Sequence, residues 1–373
     1  MNFFQTVRKK LKDRRLTKAG WSLPEYEDYR RQLRTDLTEN RSTGDEVKRW
    51  AHERGFSSDR VALYGLTEEN YRDYISDLEF FWGFPYNNQY SKWIDDKLTF
   101  YYVLGPFREY LPEYYYFSNQ EGRFYALPDA PVDVEPNATA IVRLLKDKRH
   151  LAVKMLIGSE GVGFYHLSWS ERSGIVINGE SYSEADTLNF IGSLKNYLFS
   201  EYLTPCEELA RIYPKTANSM RVIAIMKPGE ENPVCRGLIR FGNSTSKEVD
   251  NTSQGSLFSI LDVRTGEFEG GLQDVDFVRQ YPTHHPDTGE LIKGTVPHWE
   301  EILTLIKDIC RYYSMLDYLG FDIVVSTAGV KIIEINSLPE MQDYQIAGPL
   351  KNDPYYGYLW KETIRRKGQP PAP

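Results

Sequence analysis

The stretch GVKIIEINSLPE, residues 329–340, ends an apolar run with a carboxylate and an amide. Val330, Ile332 and Ile335 describe a buried strand, in which side chains alternate between faces with a period of two. That period places Val330, Ile332, Glu334 and Asn336 on one side. FDIVV, residues 321–325, precedes this strand, and the connection STAG ends in glycine. A hairpin with Thr327, Ala328 and Gly329 as a three-residue loop puts Gly329 at the left-handed position such loops favour. That register pairs Ser326 with Val330 and Asp322 with Glu334, so Asp322, Glu334 and Asn336 gather on one face. A loop one residue shorter or longer sends Asp322 to the other face. Two carboxylates and an amide oxygen, without histidine or cysteine, describe a hard-cation site. Magnesium fits best, since it prefers oxygen ligands and often completes its shell with phosphate. The competing reading is a strand end that turns Glu334 and Asn336 to solvent.

Phosphate recognition needs cations and backbone donors. GSEGVGF supplies Gly158, Gly161 and Gly163, which allow close backbone approach and a nest of N–H groups. It is not a Walker A loop, because no Gly-Lys-Ser/Thr follows, and a glycine-rich hairpin reads equally well. Lys154 lies just upstream in the apolar strand HLAVKMLI. A buried lysine is costly unless paired, so an anionic ligand, a partner carboxylate or an edge position accounts for it.

Net charge is −8, with no domain-wide basic excess, which argues against a general nucleic-acid binder. Cys206, Cys235 and Cys310 form no CxxC pair, so a disulfide framework or thiolate zinc site is not expected and a reducing cytoplasm is the simpler setting. No run approaches a transmembrane helix in length, and the N-terminus lacks the apolar core of a signal peptide. The N-terminal VRKKLKDRRLTK instead carries seven cations against Asp13, with Phe3, Phe4, Val7 and Leu11 at roughly helical spacing. It reads either as an amphipathic helix on anionic lipid or as a solvated helix packing its apolar stripe on the protein.

Along the chain, residues 22–93 read as helical and aromatic-rich. The 27 tyrosines and 7 tryptophans concentrate in the first third, as a packed core or a carbohydrate-facing surface. Lys97 falls in the first turn of a helix after Asp95 and Asp96. Asn119 and Gly122 mark a hairpin, Ala138 to Lys148 a helix, and Ser183 with Asp186 a capping box. Strands follow at YLFSEYL, SMRVIAIM and CRGLIRFG. Trp299, Ile302, Ile306, Ile309, Cys310 and Tyr313 recur at helical spacing, which makes Cys310 a core residue. The fold class is mixed α/β (α+β).

In this order, Lys97, Lys154 with its glycine loop, FSEYL, NSMRV, GFDIVV and EINSLPE resemble an ATP-grasp enzyme. DDKLTFYYVL, VDNTSQGS, HHPDTGELIKGTVPHW and IIEINS are similar to the sugar-transfer-associated branch of that superfamily. The resemblance runs from about residue 95 to 348. It implies two α/β subdomains clasping ATP, preceded by a helical region. The expected segments are residues 1–94, 95–148, 149–204 (the lid), 205–348 (the metal-bearing unit) and 349–373. It further implies that Lys97 and Lys154 hold the ATP phosphates under a lid of Gly158, Gly161 and Gly163. Glu201, Tyr202 and Leu203 would meet adenine, and Glu207 or Glu208 the ribose. Asp322, Glu334 and Asn336 would hold Mg2+, and Arg221 would face the γ-phosphate. Asn218 and His285 are candidate substrate contacts. The chain departs from the common Pro-Gly ending at Pro339–Glu340, which leaves the acceptor pocket undefined. The implied activity is ATP-dependent carboxylate–amine ligation in glycan biosynthesis, with glycosyltransferases as candidate partners. A sugar kinase and a non-catalytic nucleotide-binding scaffold are the alternatives.

Overall fold

A computed structural model describes residues 3–158, 161–246, 249–275 and 278–373. The chain opens with helices α1 (Phe3–Lys18), α2 (Leu23–Thr38), α3 (Asp45–His52), α4 (Asp59–Tyr64) and α5 (Asp77–Gly83). A reciprocal cap starts α5: the Ser76 hydroxyl accepts from the Glu79 N–H, and the Glu79 carboxylate accepts from the Ser76 N–H at 2.8 Å. The aromatic residues of this region are mostly core. Trp21, Tyr29, Tyr64, Tyr74, Phe80, Trp82 and Tyr86 are buried, and the Trp82 indole N–H donates to the Ala19 carbonyl at 3.0 Å. Among the described residues no helix is long and apolar enough to cross a membrane.

Two short helices, α6 (Lys92–Asp95) and α7 (Lys97–Val103), lead into the first sheet. Its strands are β1 (Tyr114–Ser118), β2 (Phe124–Ala126), β3 (His150–Met155), β4 (Tyr165–Ser170), β5 (Gly174–Ile177), β6 (Glu180–Tyr182) and β7 (Tyr197–Glu201). They run antiparallel in the order β2-β1-β7-β3-β4-β5-β6. Helices α8 (Ala138–Lys148) and α9 (Glu184–Ser193) start at the expected caps, where Asn137 accepts from the Ala140 N–H and Ser183 from the Asp186 N–H. Leu151 and Val153 of β3 join the core with α8, so Ala152 and Lys154 face the other way.

After α10 (Glu207–Ala210) come β8 (Met220–Ile225), β9 (Val234–Phe241) and β10 (Leu257–Ile260). Two small ribbons follow, built from β11 (Glu267–Glu269), β12 (Gln273–Val275), β13 (Val278–Gln280) and β14 (Lys293–Thr295). Helix α11 (Trp299–Tyr312), the hairpin β15 (Tyr318–Ser326) and β16 (Gly329–Asn336), and helix α12 (Tyr356–Lys367) complete the chain. The second sheet has the order β10-β9-β8-β15-β16, all antiparallel. Helix α11 buries Trp299, Ile302, Leu305, Ile306, Ile309 and Cys310 in the core shared with this sheet. Each large aliphatic side chain there contributes about 1.5–3 kcal/mol. Burial also pushes the Cys310 thiol up to about 12, as befits a core residue. Asn87, fully buried, ties the helical region to β15 by accepting from the Asp317 and Tyr318 N–H groups at 2.7 and 2.8 Å.

The β15–β16 hairpin corrects the expected register. Ser326 pairs with Gly329, not Val330, so the loop has one residue fewer than expected, although Gly329 does hold a positive φ of 95°. A bulge near Ile333 then shifts the register, and Asp322 still pairs with Glu334. The bulge also overturns the expected facing. Val330, Ile332 and Ile335 all enter the α11 core, while Ile333, Glu334 and Asn336 open onto the opposite side.

Candidate functional site

The cleft between the two sheets has a volume of about 360 Å3 and is lined from both sides. Ala152, Lys154 and Met155 come from β3; Arg221, Arg240, Asp322, Glu334 and Asn336 come from the second sheet. The alternation that sends Met220 and Val222 of β8, and Phe321 and Ile323 of β15, into the α11 core turns Arg221 and Asp322 to the cleft. Arg221 pairs in register with Asp322, and Asp322 with Glu334. A cation and two carboxylates thus form a row across three strands.

Asp322 is buried and holds Arg221 in a two-pronged ion pair, with Arg221 Nη2 at 2.9 Å from Oδ2. Arg240 Nη1 adds a second cation at 3.6 Å. Burial alone would raise the Asp322 carboxyl, but the two guanidiniums outweigh it and hold it below the ordinary range. Glu334 goes the other way. Burial raises its carboxyl, and Lys97, with Nζ 3.7 Å away, only partly offsets this. Burial and the neighbouring Lys97 charge bring the Lys154 ammonium down to about 8.

Lys97 is buried, and its ammonium donates to the Gly158 carbonyl at 3.0 Å, joining the glycine loop to the acidic row. Its helix starts at Asp96, whose carboxylate accepts from the Thr99 N–H at 2.7 Å. Next to it, Asp95 accepts from the Ser337 hydroxyl at 2.9 Å, which ties the start of α7 to the end of EINS. Gly158 and Gly161 line the cleft, and a side chain at Gly161, whose φ is 70°, would crowd Val249. Gly163 does not line it and sits against Met155 and Tyr197 instead. Ser159 and Glu160 of the expected lid lie outside the described residues.

Glu201, Tyr202 and Leu203 line one end of the cleft, where the Tyr202 ring stacks on His166 at 3.8 Å between centroids. The Glu201 N–H already donates to the Glu113 carbonyl at 2.8 Å. Glu207 and Glu208 begin α10 as exposed residues outside the lining.

Two further sequence candidates, like Gly163, Glu207 and Glu208, do not line the cleft. Asn218 is fully buried, where its amide donates to the carbonyls of Tyr213 and Leu209 at 2.6 and 3.1 Å. His285 is buried and stacked on Tyr213 at 4.8 Å, with Nε2 2.7 Å from the Gly242 carbonyl. Both are buried with satisfied partners, outside the lining of the cleft.

Other lining residues lie outside the expected set: Ser219, Arg240, Asp250, Asn251 and Glu340. Arg240 has one signal in the sequence, a cation between Ile239 and Phe241 in mid-strand, as with Lys154. It is buried, and its Nε has no hydrogen-bond partner. Asp250 accepts from the Ser219 N–H, and burial raises its carboxyl against the pull of Arg240.

The family model described as sugar-transfer associated ATP-grasp matches residues 81–350, starting earlier than the motifs alone suggest. No curated protein matches the sequence. Among solved structures, D-alanyl-alanine synthetase A from Vibrio cholerae O1 biovar eltor is similar at 11% identity and a TM-score of 0.43, over 74% of this chain and 65% of that one. The ATP-grasp ligase PsnB, complexed with its minimal precursor, is similar at 12% identity and a TM-score of 0.40, over 75% and 64%. N5-carboxyaminoimidazole synthetase from Staphylococcus aureus, complexed with ADP, is similar at 8% identity and a TM-score of 0.37, over 74% and 51%. The chain thus spans less than two thirds of the length of these chains. The matched residues 81–350 contain both antiparallel sheets and the cleft between them, and the chain belongs to the sugar-transfer associated ATP-grasp family.

Proposed function

We propose that the protein is an ATP- and magnesium-dependent carboxylate–amine ligase acting in glycan biosynthesis. The observation that carries this reading is the row Arg221–Asp322–Glu334 facing Lys97 and Lys154 across the cleft. A triphosphate needs cations on its oxygens and acidic oxygens for its counter-ion, and both are concentrated here. The donor set fits magnesium. Glu334 and Asn336 would supply oxygens from β16, and Asp322, on the paired strand, would join them by exchanging a prong of its Arg221 pair for the cation. When bound, magnesium neutralises the β- and γ-phosphates during transfer.

In this reading Lys97 and Lys154 hold the phosphates, and the backbone at residues 201–203 holds adenine. Arg221 and Arg240 orient the γ-phosphate and the incoming substrate carboxylate. A carboxylate oxygen attacks the γ-phosphorus, the bond to the β-phosphate oxygen breaks, and ADP leaves. An amine then attacks the acyl carbon, phosphate departs, and the amine gives up a proton. Glu340, where many ATP-grasp chains have glycine, brings an exposed carboxylate to the cleft that suits a cationic amine. The family's description supports a sugar-linked setting, such as an amino acid joined to a uronic acid or amino sugar.

The test is a screen of carboxylates with amines, scoring ADP and free phosphate together. The ligase reading expects equal amounts of both, dependent on the amine. Phosphate retained on the product would replace it with a kinase, and no turnover with any pair, despite nucleotide binding, would favour a scaffold.

Nucleotide affinity also gains a pH dependence. Lys154 must be protonated to hold phosphate, and in the free protein its ammonium titrates at about 8. Affinity is therefore flat below that value and falls as pH rises through it, at most about tenfold per pH unit. Calorimetry near pH 8 in buffers of different ionisation heat should show proton uptake on binding. A pH-independent affinity would exclude Lys154 from the phosphate site.

A further inference from the structure

We propose that Asp250 is the group that takes the proton from the attacking amine, a role that rests on the ligase reading of the cleft. Amide formation needs such an acceptor, because the nitrogen becomes positively charged as it bonds to the acyl carbon. Among the described residues the cleft is lined by the carboxylates of Glu201, Asp250, Asp322, Glu334 and Glu340. Asp322 holds Arg221 and Arg240, and Glu334 faces Lys97 at 3.7 Å. Glu201 accepts from the Glu113 N–H at 3.1 Å, at the end of the cleft given to adenine. Glu340 is exposed, where water competes for the proton. Asp250 forms no ion pair among the described residues, and its carboxylate is hydrogen-bonded only by Ser219.

Ser219, immediately before β8, sets the position of this acid. Its N–H donates to the Asp250 carboxylate, and its carbonyl accepts from the Arg240 N–H at 2.8 Å. Its hydroxyl lies 3.5 Å from Arg240 Nη1. One residue thus ties Asp250 to Arg240, the guanidinium assigned above to the substrate carboxylate, and that carboxylate becomes the acyl phosphate. The Asp250 carbonyl accepts from the buried Ser256 hydroxyl at 2.8 Å, which fixes the backbone. A carboxylate has about four acceptor positions, so Ser219 leaves room for an amine proton. The charges acting on Asp250 come from Arg240 of β9, Asp322 of β15 and Lys154 of β3. Burial raises its carboxyl, Arg240 opposes the rise and Asp322 adds to it, so this acid holds a proton more readily than a solvated aspartate. In the step, the nitrogen lone pair forms the C–N bond, and the C–O bond to phosphate breaks with its electron pair on the phosphate. The nitrogen proton passes to the Asp250 carboxylate, which then releases it to water.

The test compares two nucleophiles on the full chain with ATP, magnesium and the panel of carboxylates screened above. Hydroxylamine is uncharged at neutral pH and captures an acyl phosphate as a hydroxamate without help from a base. The amine that turns over in the screen is an ammonium ion in solution and needs one. Asp250→Asn should lower the ratio of amide to hydroxamate on the order of a hundredfold. Asp250→Ala should do the same, and Asp250→Glu, which returns a carboxylate, should recover part of the ratio. An unchanged ratio in the two neutral variants overturns the proposal, whether both products fall together or neither does. A drop confined to Glu340→Gln also overturns it and assigns the proton to the exposed acid. Absence of hydroxamate from the wild type with every carboxylate is the separate failure of the ligase reading, which removes the role of Asp250 with it.

Discussion

Arg221→Met is expected to destabilise the protein by about 3–5 kcal/mol, the cost of leaving one partner of a buried ion pair alone. Asp322 is 6% exposed, and both of its oxygens face Arg221. Arg240 at 3.6 Å is too far and too shared to replace that two-pronged pair, since it also reaches the Ser219 hydroxyl at 3.5 Å. The partner variant decides the cause. Adding Asp322→Asn should recover much of the loss, because it removes the stranded charge, whereas a mere packing defect at Arg221 would not be rescued.

The pH dependence follows from the same pair. In wild type the folded Asp322 carboxyl titrates below its unfolded value, so its stabilisation is present above about pH 4 and is lost as pH falls through the folded value. In Arg221→Met, burial would hold the carboxyl above its unfolded value. The deficit is then largest near neutrality and shrinks towards pH 4. Urea unfolding of the variants at neutral and mildly acid pH measures all of this. A deficit that does not shrink with acid would remove Asp322 as its source.

Glu334→Gln should have the opposite profile, losing function while keeping the fold. Removing one of two carboxylates from the proposed magnesium site should weaken magnesium–nucleotide binding by at least roughly a hundredfold, the upper end for losing even an outer-sphere partner of a metal ligand. The fold should change little. Glutamine has nearly the same shape and ends the burial of a charge whose carboxyl is already raised. Lys97 keeps its 3.0 Å bond to the Gly158 carbonyl. Calorimetric titration of ADP with and without magnesium tests this directly. Wild-type behaviour that loses its magnesium dependence in the variant supports the site; an unchanged dependence would place the metal elsewhere.

Much of this molecule is dictated by local chemistry. The caps at Asn137 and Ser183, the stripe of α11, and a cation in mid-strand at Lys154 need only neighbours within a few residues. The order of motifs from Lys97 to EINS carries the family. Facing and partnership are decided elsewhere. A strict period of two puts Glu334 with Val330 and Ile332, on the face that the structure packs against α11. A buried carboxylate among Ile302, Ile306 and Phe321 would lie unpaired at a cost of several kcal/mol. The extra residue at the bulge avoids that, keeping Ile335 in the core and releasing Glu334 and Asn336 to the cleft. His285 carries a ring nitrogen that meets the distant Gly242 carbonyl, and Arg240 reaches Asp322 across β8, which lies between their strands. Parity along a strand is broken by a single inserted residue, and its placement depends on which face the rest of the chain covers. Only the assembled sheets and helices settle that.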